Sequence, residues 1–192
     1  MIYGVGINDS NYKIHTKVNE KSLFCPFYTK WRSMLERCYS EKYQRNQKTF
    51  VGCSVVKEWH SFMNFKAWME KQDWEGNDLD KDILVAGNKI YGPTTCVFVS
   101  KGVNRFMREH FKSLNPENSV GVYFNLKKGK YIAECRIHNG PKKHLGAFHS
   151  KENARIAYLK FKRTQALILA EEQTNELVKN SLMNMYKENI YV

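Results

Sequence analysis

The 192-residue sequence predicts an α+β protein made of two modules. Three observations carry that prediction. Residues 26–72 hold two stretches with apolar residues at helical spacing. Residues 79–111 read as strand, turn, strand and helix, and residues 120–164 as three short strands followed by a helix. The polar stretch KSLNPENS, with Pro116 in its middle, separates the two patterns as a linker over 113–119.

Residues 1–25 are polar, rich in Asn and Lys, and without a sustained period, which predicts an arm or irregular lead-in. PFYTKWRSMLERCYSEKY then places Phe27, Trp31, Met34 or Leu35, and Cys38 on one helical face, with Pro26 near the start. TFVGCSVVKEW reads as a short extended stretch. EWHSFMNFKAWMEKQ follows as a second amphipathic helix through Trp59, Phe62 or Met63, Phe65 and Met69. The aromatic residues of both helices fall on single faces, so they belong to a core rather than to a base-stacking platform.

A turn-rich link, DWEGNDL, leads to a strand at DILV, a turn at AGNK, a second strand at CVFV and a helix from GVNRFMREHF. After the linker, VGVYFNLKKGKYIAECRIHNGPKKHLGAF holds three short strands broken at KKGK and HNGPKK. Tyr131, Ala133, Cys135 and Ile137 alternate with Lys130, Ile132, Glu134 and Arg136, as a sheet with two different faces requires. Ser150 then caps a helix that turns Ala154, Ala157 or Tyr158, and Phe161 inward. A last polar helix runs toward residue 187.

Thirty-one Lys and Arg against 19 Asp and Glu give a net charge of +12. A polyanion partner rewards such an excess, and nucleic acid is the simplest. The basic residues are interleaved with aromatic and polar ones, and no single basic amphipathic helix gathers them, which argues against a membrane surface. No apolar run reaches the roughly 18 residues that span a bilayer. The start, MIYGVGINDSNYK, has no basic-then-apolar signal pattern. Five scattered cysteines (Cys25, Cys38, Cys53, Cys96 and Cys135) include no CxxC pair. They predict reduced core thiols in a cytoplasmic protein, with neither a disulfide framework nor a zinc site.

GVYF, GKYIAECRI and HLGAFHSKENARIAY, in that order, resemble the AP2 DNA-binding domain of plant transcription factors and of phage and homing endonucleases. The resemblance implies a three-stranded antiparallel sheet packed on a helix over 120–172, with the sheet laid in the major groove of duplex DNA. Carried over position by position, its reading face is Tyr123, Asn125, Lys128, Glu134, Arg136, Lys142 and His144; Lys127, Lys130 and Lys143 add phosphate contacts. Lysines replace many of the family's arginines. They are point charges without the bidentate fork that reads guanine, so a larger phosphate share and looser base specificity follow.

LDKDILVAGNKIYGPTTCVFVSKGVN resembles the ββα-metal site of phage HNH homing endonucleases: Asp80 matches the metal aspartate, Thr95 the central Asn, and Asn104 the metal ligand on the helix. Lys81 stands where the histidine base belongs. The PacI-like branch of that superfamily fits more closely. It pairs Asp with Arg, carries a Tyr-Ser-Pro turn and uses a tyrosine in catalysis; here Asp80-Lys81 and Tyr91-Gly92-Pro93 hold those places. This resemblance implies an HNH-like domain with flanking helices over 26–112, in which Asp80 and Asn104 hold one Mg²⁺ or Mn²⁺ and no zinc is needed. Tyr91 would act as nucleophile or general base, and Lys81 would stabilise phosphate charge. Asp82 shares a strand face with Asp80 as a second carboxylate or a partner of Lys81, and His60 or His110 would supply the branch's additional histidine.

The sequence thus predicts a metal-dependent endonuclease acting on duplex DNA in the cytoplasm of a phage-infected host, away from membranes; with one active centre per chain, cutting both strands would take a homodimer or two sequential nicks. A non-catalytic DNA-binding protein is the alternative. Residues 173–192 complete the chain as a C-terminal helix and tail.

Overall fold

In the computed structural model, which describes residues 1–18, 21–115 and 120–187, the chain divides into two compact units, Met1–Val99 and Ser100–Val192. The architecture is mixed helix and sheet. Among the described residues no helix is long and apolar enough to cross a membrane.

The first unit is built on α1 (Pro26–Tyr39) and α3 (Phe62–Met69), with the short α2 (Glu41–Asn46) after α1. Proline at the start of α1 sets that helix where the sequence places it, whereas α3 starts at Phe62, behind the Ser61 side chain that accepts the Asn64 N–H, and Trp59 of the expected helix lies in a separate 3-10 turn, Lys57–His60. Trp31, Trp59, Phe62, Phe65 and Met69 are fully buried. The Trp31 indole donates to the Trp59 carbonyl across 2.7 Å, so this ring packs without losing its hydrogen bond.

The lead-in is not a free arm. Gly6 passes so close to α1 that a Cβ there would lie 2.4 Å from Leu35 Cδ1 and 2.9 Å from the Trp31 ring. The Ile7 N–H donates to the His60 carbonyl and the Phe62 N–H to the Ile7 carbonyl. Asp9 accepts from the Ser61 hydroxyl and the Met63 N–H at the start of α3. A hairpin, β1 (His15–Val18) and β2 (Lys21–Phe24), follows. These pairings join residues far apart in sequence, and composition carries no trace of them.

Two small sheets frame the candidate metal segment. β3 (Ser54–Val55) runs parallel to β5 (Ile90–Tyr91). β4 (Asp78–Asp80) runs antiparallel to β6 (Val97–Val99), with Asp80 opposite Val97. The first strand therefore lies a few residues earlier than the expected DILV. Asp80 is the reason: its Oδ1 accepts the N–H groups of Asp82 and Ile83, each at 2.8 Å, and turns the chain out of the ladder.

The second unit opens with α4 (Lys101–Leu114), capped by the Ser100 hydroxyl. The expected domain edge after residue 112 cuts through its partners. Glu109 pairs with Lys162, the Ser113 carbonyl accepts from Arg155, and Phe106 and His110 pack edge-on against Tyr186. The expected linker falls mostly at 116–119, outside the described residues. β7 (Val122–Asn125), β8 (Lys130–Arg136) and β9 (Lys142–Phe148) form an antiparallel sheet in the order β7-β8-β9, with a register shift at Ala133/Glu134. α5 (Lys151–Glu171) packs on this sheet and α6 (Glu176–Asn184) on α5. α5 buries Ala154, Tyr158, Leu159, Lys162, Ala166 and Leu169. Phe161 is only half buried, under the Lys143 ammonium, and Lys162 takes the inward place.

Candidate nucleic-acid interface and metal segment

The sheet of the second unit carries a compact polar cluster. Tyr123 is opposite Ile132 in β8, and its hydroxyl donates to Glu134 Oε1 across 3.2 Å. Lys142 Nζ is 2.5 Å from Glu134 Oε2, and His144 Nδ1 is 3.9 Å from Oε1. The register places Glu134 opposite His144 and Arg136 opposite Lys142, so all five side chains share one end of the sheet. The hydrogen bond from Lys142 holds the Glu134 carboxyl below its usual range, and Glu134 in turn raises Lys142. The outcome is a fixed carboxylate ringed by donors on an exposed surface.

The other expected DNA contacts spread from this cluster. Asn125 closes the β7–β8 turn by accepting the Lys128 N–H at 3.0 Å. Lys127 and Lys128 are exposed in that turn, and Lys130 is half buried at the start of β8. Lys143 points elsewhere: it pairs with Cys135 in register, and its ammonium lies 5.1 Å from the centre of the Phe161 ring on α5.

The Asp80–Tyr91 segment is organised differently, with its polar groups turned on one another. Lys81 is buried, 5% exposed; its ammonium donates to Asp82 Oδ1 at 2.7 Å and to the Asn88 carbonyl at 2.6 Å. Asn88 replies by donating to the Lys81 and Ile90 carbonyls and accepting the Ile90 N–H. The bends between Lys81 and Asn88 are thus cross-braced by one cation and one amide. Thr95, at the place of the central Asn, spends its hydroxyl on the Ile90 and Gly92 carbonyls.

Tyr91 is 1% exposed. Burial pushes its hydroxyl well above the ordinary tyrosine range, and the Arg37 guanidinium offsets this only in part. In the structure Lys81 lies 6.0 Å from the ring centre and is engaged with Asp82, while Arg37 of α1 is the cation that meets the hydroxyl. Arg37 lies 54 positions before Tyr91, and nothing in the local sequence pattern marks it.

Asp80 is half buried; burial raises its carboxyl, with the two backbone donors opposing that shift. One oxygen is taken by those donors, and among the described residues none bonds the other. Among the described residues no three His, Cys, Asp or Glu side chains gather as a metal cluster. Magnesium asks for less, commonly one or two carboxylates with waters and substrate phosphate, and the free Asp80 oxygen beside Asp82 fits that demand. Asn104 lies on the first turn of α4, half buried, and belongs to the second unit whereas Asp80 belongs to the first.

The two histidines divide in the same way. His60, in the first unit, donates from Nε2 to the Val55 carbonyl at 3.1 Å and meets the Tyr39 ring edge-on. His110, in the second, has a buried Nδ1 that finds no hydrogen-bond partner among the described residues, and burial together with Lys162 pushes its pKa down to about 4. Compared with protein-family models, curated proteins and solved structures, the chain matches none of them.

Proposed function

We propose that this chain is a duplex-DNA-binding protein whose contact surface is the Glu134 cluster and the neighbouring lysines of the second unit. The observation that carries the reading is the fixed Glu134 carboxylate with Lys142, His144 and Tyr123 around it on an exposed antiparallel sheet. A twisted ribbon of this kind fits the major groove, and a carboxylate held beside donors accepts from cytosine N4 while the lysines meet phosphates. The net charge of +12 and the order of AP2-like residues support the same partner. The test is a mobility shift on duplex DNA in chelator at low salt. The expected result is a complex that weakens steeply as salt rises; no complex at 50 mM salt, where phosphate contacts are strong, would refute the reading.

A second reading, a metal-dependent HNH-like endonuclease, rests on one observation: antiparallel β4 and β6 lead straight into α4, with Asp80 at the end of β4 keeping one carboxylate oxygen free. Asp80 would hold Mg²⁺, which supplies Lewis acidity at a phosphate. Supercoiled plasmid in Mg²⁺ or Mn²⁺ tests it. Nicking that is lost in Asp80→Ala and in Tyr91→Phe, with the DNA complex retained, would establish this chemistry. Nicking that survives Asp80→Ala would remove the metal site.

A further inference from the structure

The β7–β8 turn carries an apolar residue that the fold does not use. Leu126 is 87% exposed at the apex of the hairpin, so its side chain gains almost nothing from burial. The turn beneath it is closed twice by Asn125, whose side-chain oxygen and backbone carbonyl both accept the Lys128 N–H, at 3.0 and 3.2 Å. Gly129, at φ +59, completes the reversal with open space around it. Behind the apex Phe124, 48% exposed, faces Tyr131 across the ladder with ring centres 4.9 Å apart. Lys127, Lys128 and Lys130 flank the apex, and among the described residues none of the three has a carboxylate partner.

A single exposed leucine is ordinary on a protein surface. Here it stands at the tip of a doubly braced turn, ringed by unneutralised cations, so its position is held before any partner arrives and little ordering remains for binding to impose. The partner must be anionic around the tip and apolar at one narrow place within reach. Duplex DNA meets both conditions, because its phosphates take the lysines and its apolar surface is confined to the thymine methyl groups and the faces of the stacked base pairs, of which only the base step gives a protruding side chain a gap to enter. We propose that Leu126 is a wedge that enters a base step and bends the duplex. This inference rests on the reading that the second unit binds duplex DNA and adds to it a deformation. Pyrimidine–purine steps, which unstack most easily, are the expected points of entry.

The test uses the full chain and short end-labelled duplexes carrying 2-aminopurine at a central TA step. Energy transfer between the ends reads the bend, 2-aminopurine fluorescence reads unstacking, and anisotropy reads binding. The wild type is expected to bend the duplex by roughly 20° or more and to raise 2-aminopurine emission. Leu126→Ala should lose both signals while its affinity falls less than about tenfold, and Leu126→Met should keep them, since methionine also serves as a wedge. Wild-type binding without bend or unstacking overturns the wedge and leaves the DNA-binding reading standing, as does an unchanged bend in Leu126→Ala. No binding by the wild type overturns both.

Discussion

Two lysine–carboxylate pairs, one in each unit, have the same chemistry and opposite settings. In the first, Lys81 meets Asp82 at 2.7 Å with side-chain exposures of 6% and 35%; in the second, Lys142 meets Glu134 at 2.5 Å with 64% and 20%. Lys81 donates a second hydrogen bond to a backbone carbonyl, whereas the Lys142 side chain stays mostly in solvent. The same pair of residue types therefore braces a loop in one place and presents a charged surface in the other. Burial, which the sequence does not state, separates the two roles.

The sharpest way to break this comparison is Lys81→Ala. Removing the cation strands the Asp82 carboxylate and the Asn88 carbonyl, and partial exposure of Asp82 keeps the cost near the low end for buried pairs, about 3 kcal/mol. Urea denaturation followed through the tryptophans of the first unit checks it. Removing both partners, as Lys81→Met with Asp82→Ala, should recover much of the loss, because no unpaired charge remains. A loss below about 1 kcal/mol in Lys81→Ala would mean the amine is not a brace, and would return it to the candidates for phosphate stabilisation.

The sequence disclosed these regions unequally, for a physical reason. Strand alternation in β8 and the Ser150 cap of α5 are local, so Glu134, Arg136 and the three-strand order were readable without coordinates. The Asp80 segment depends on side chains that bond their own loop. Asp80 turns the backbone at Asp82 and Ile83, and this moves the strand from 82–85 back to Asp78–Asp80. Arg37 reaches the strand residue Tyr91 from α1, and Gly6 is pressed against Trp31 from the lead-in. Such contacts are set by tertiary packing, and neither periodicity nor motif spacing encodes them.

A middle-sized effect sharpens the comparison inside the second unit, where the half-buried His110 ring lies near the buried cation Lys162. Its pKa of about 4 lies below the ordinary 6.5, so between these values the unfolded chain binds a proton that the folded chain refuses. The neutral ring's advantage is fully present above pH 6.5 and is lost as pH falls through the folded value near 4. Allowing for partial exposure, the swing is on the order of 2 kcal/mol. Urea midpoints between pH 7 and 4 should fall more steeply in the wild type than in His110→Gln. Equal slopes would show that the pocket beside Tyr186 admits the charged ring.

The smallest expected change in stability is at Lys142, and its smallness is the informative part. Lys142→Ala removes an exposed ion pair, so the urea midpoint should hardly move. Its effect should instead appear in DNA binding, as a salt-dependence slope shallower by roughly one for the lost phosphate contact. Arg136→Ala with Lys142→Ala should flatten the slope by roughly two, since the paired register puts both cations on the same end of the sheet. If the double substitution destabilised the fold as strongly as Lys81→Ala, the sheet pair would be another internal brace. If it left both stability and slope unchanged, DNA would have to meet the second unit elsewhere, and the Glu134 cluster would be a solvated surface.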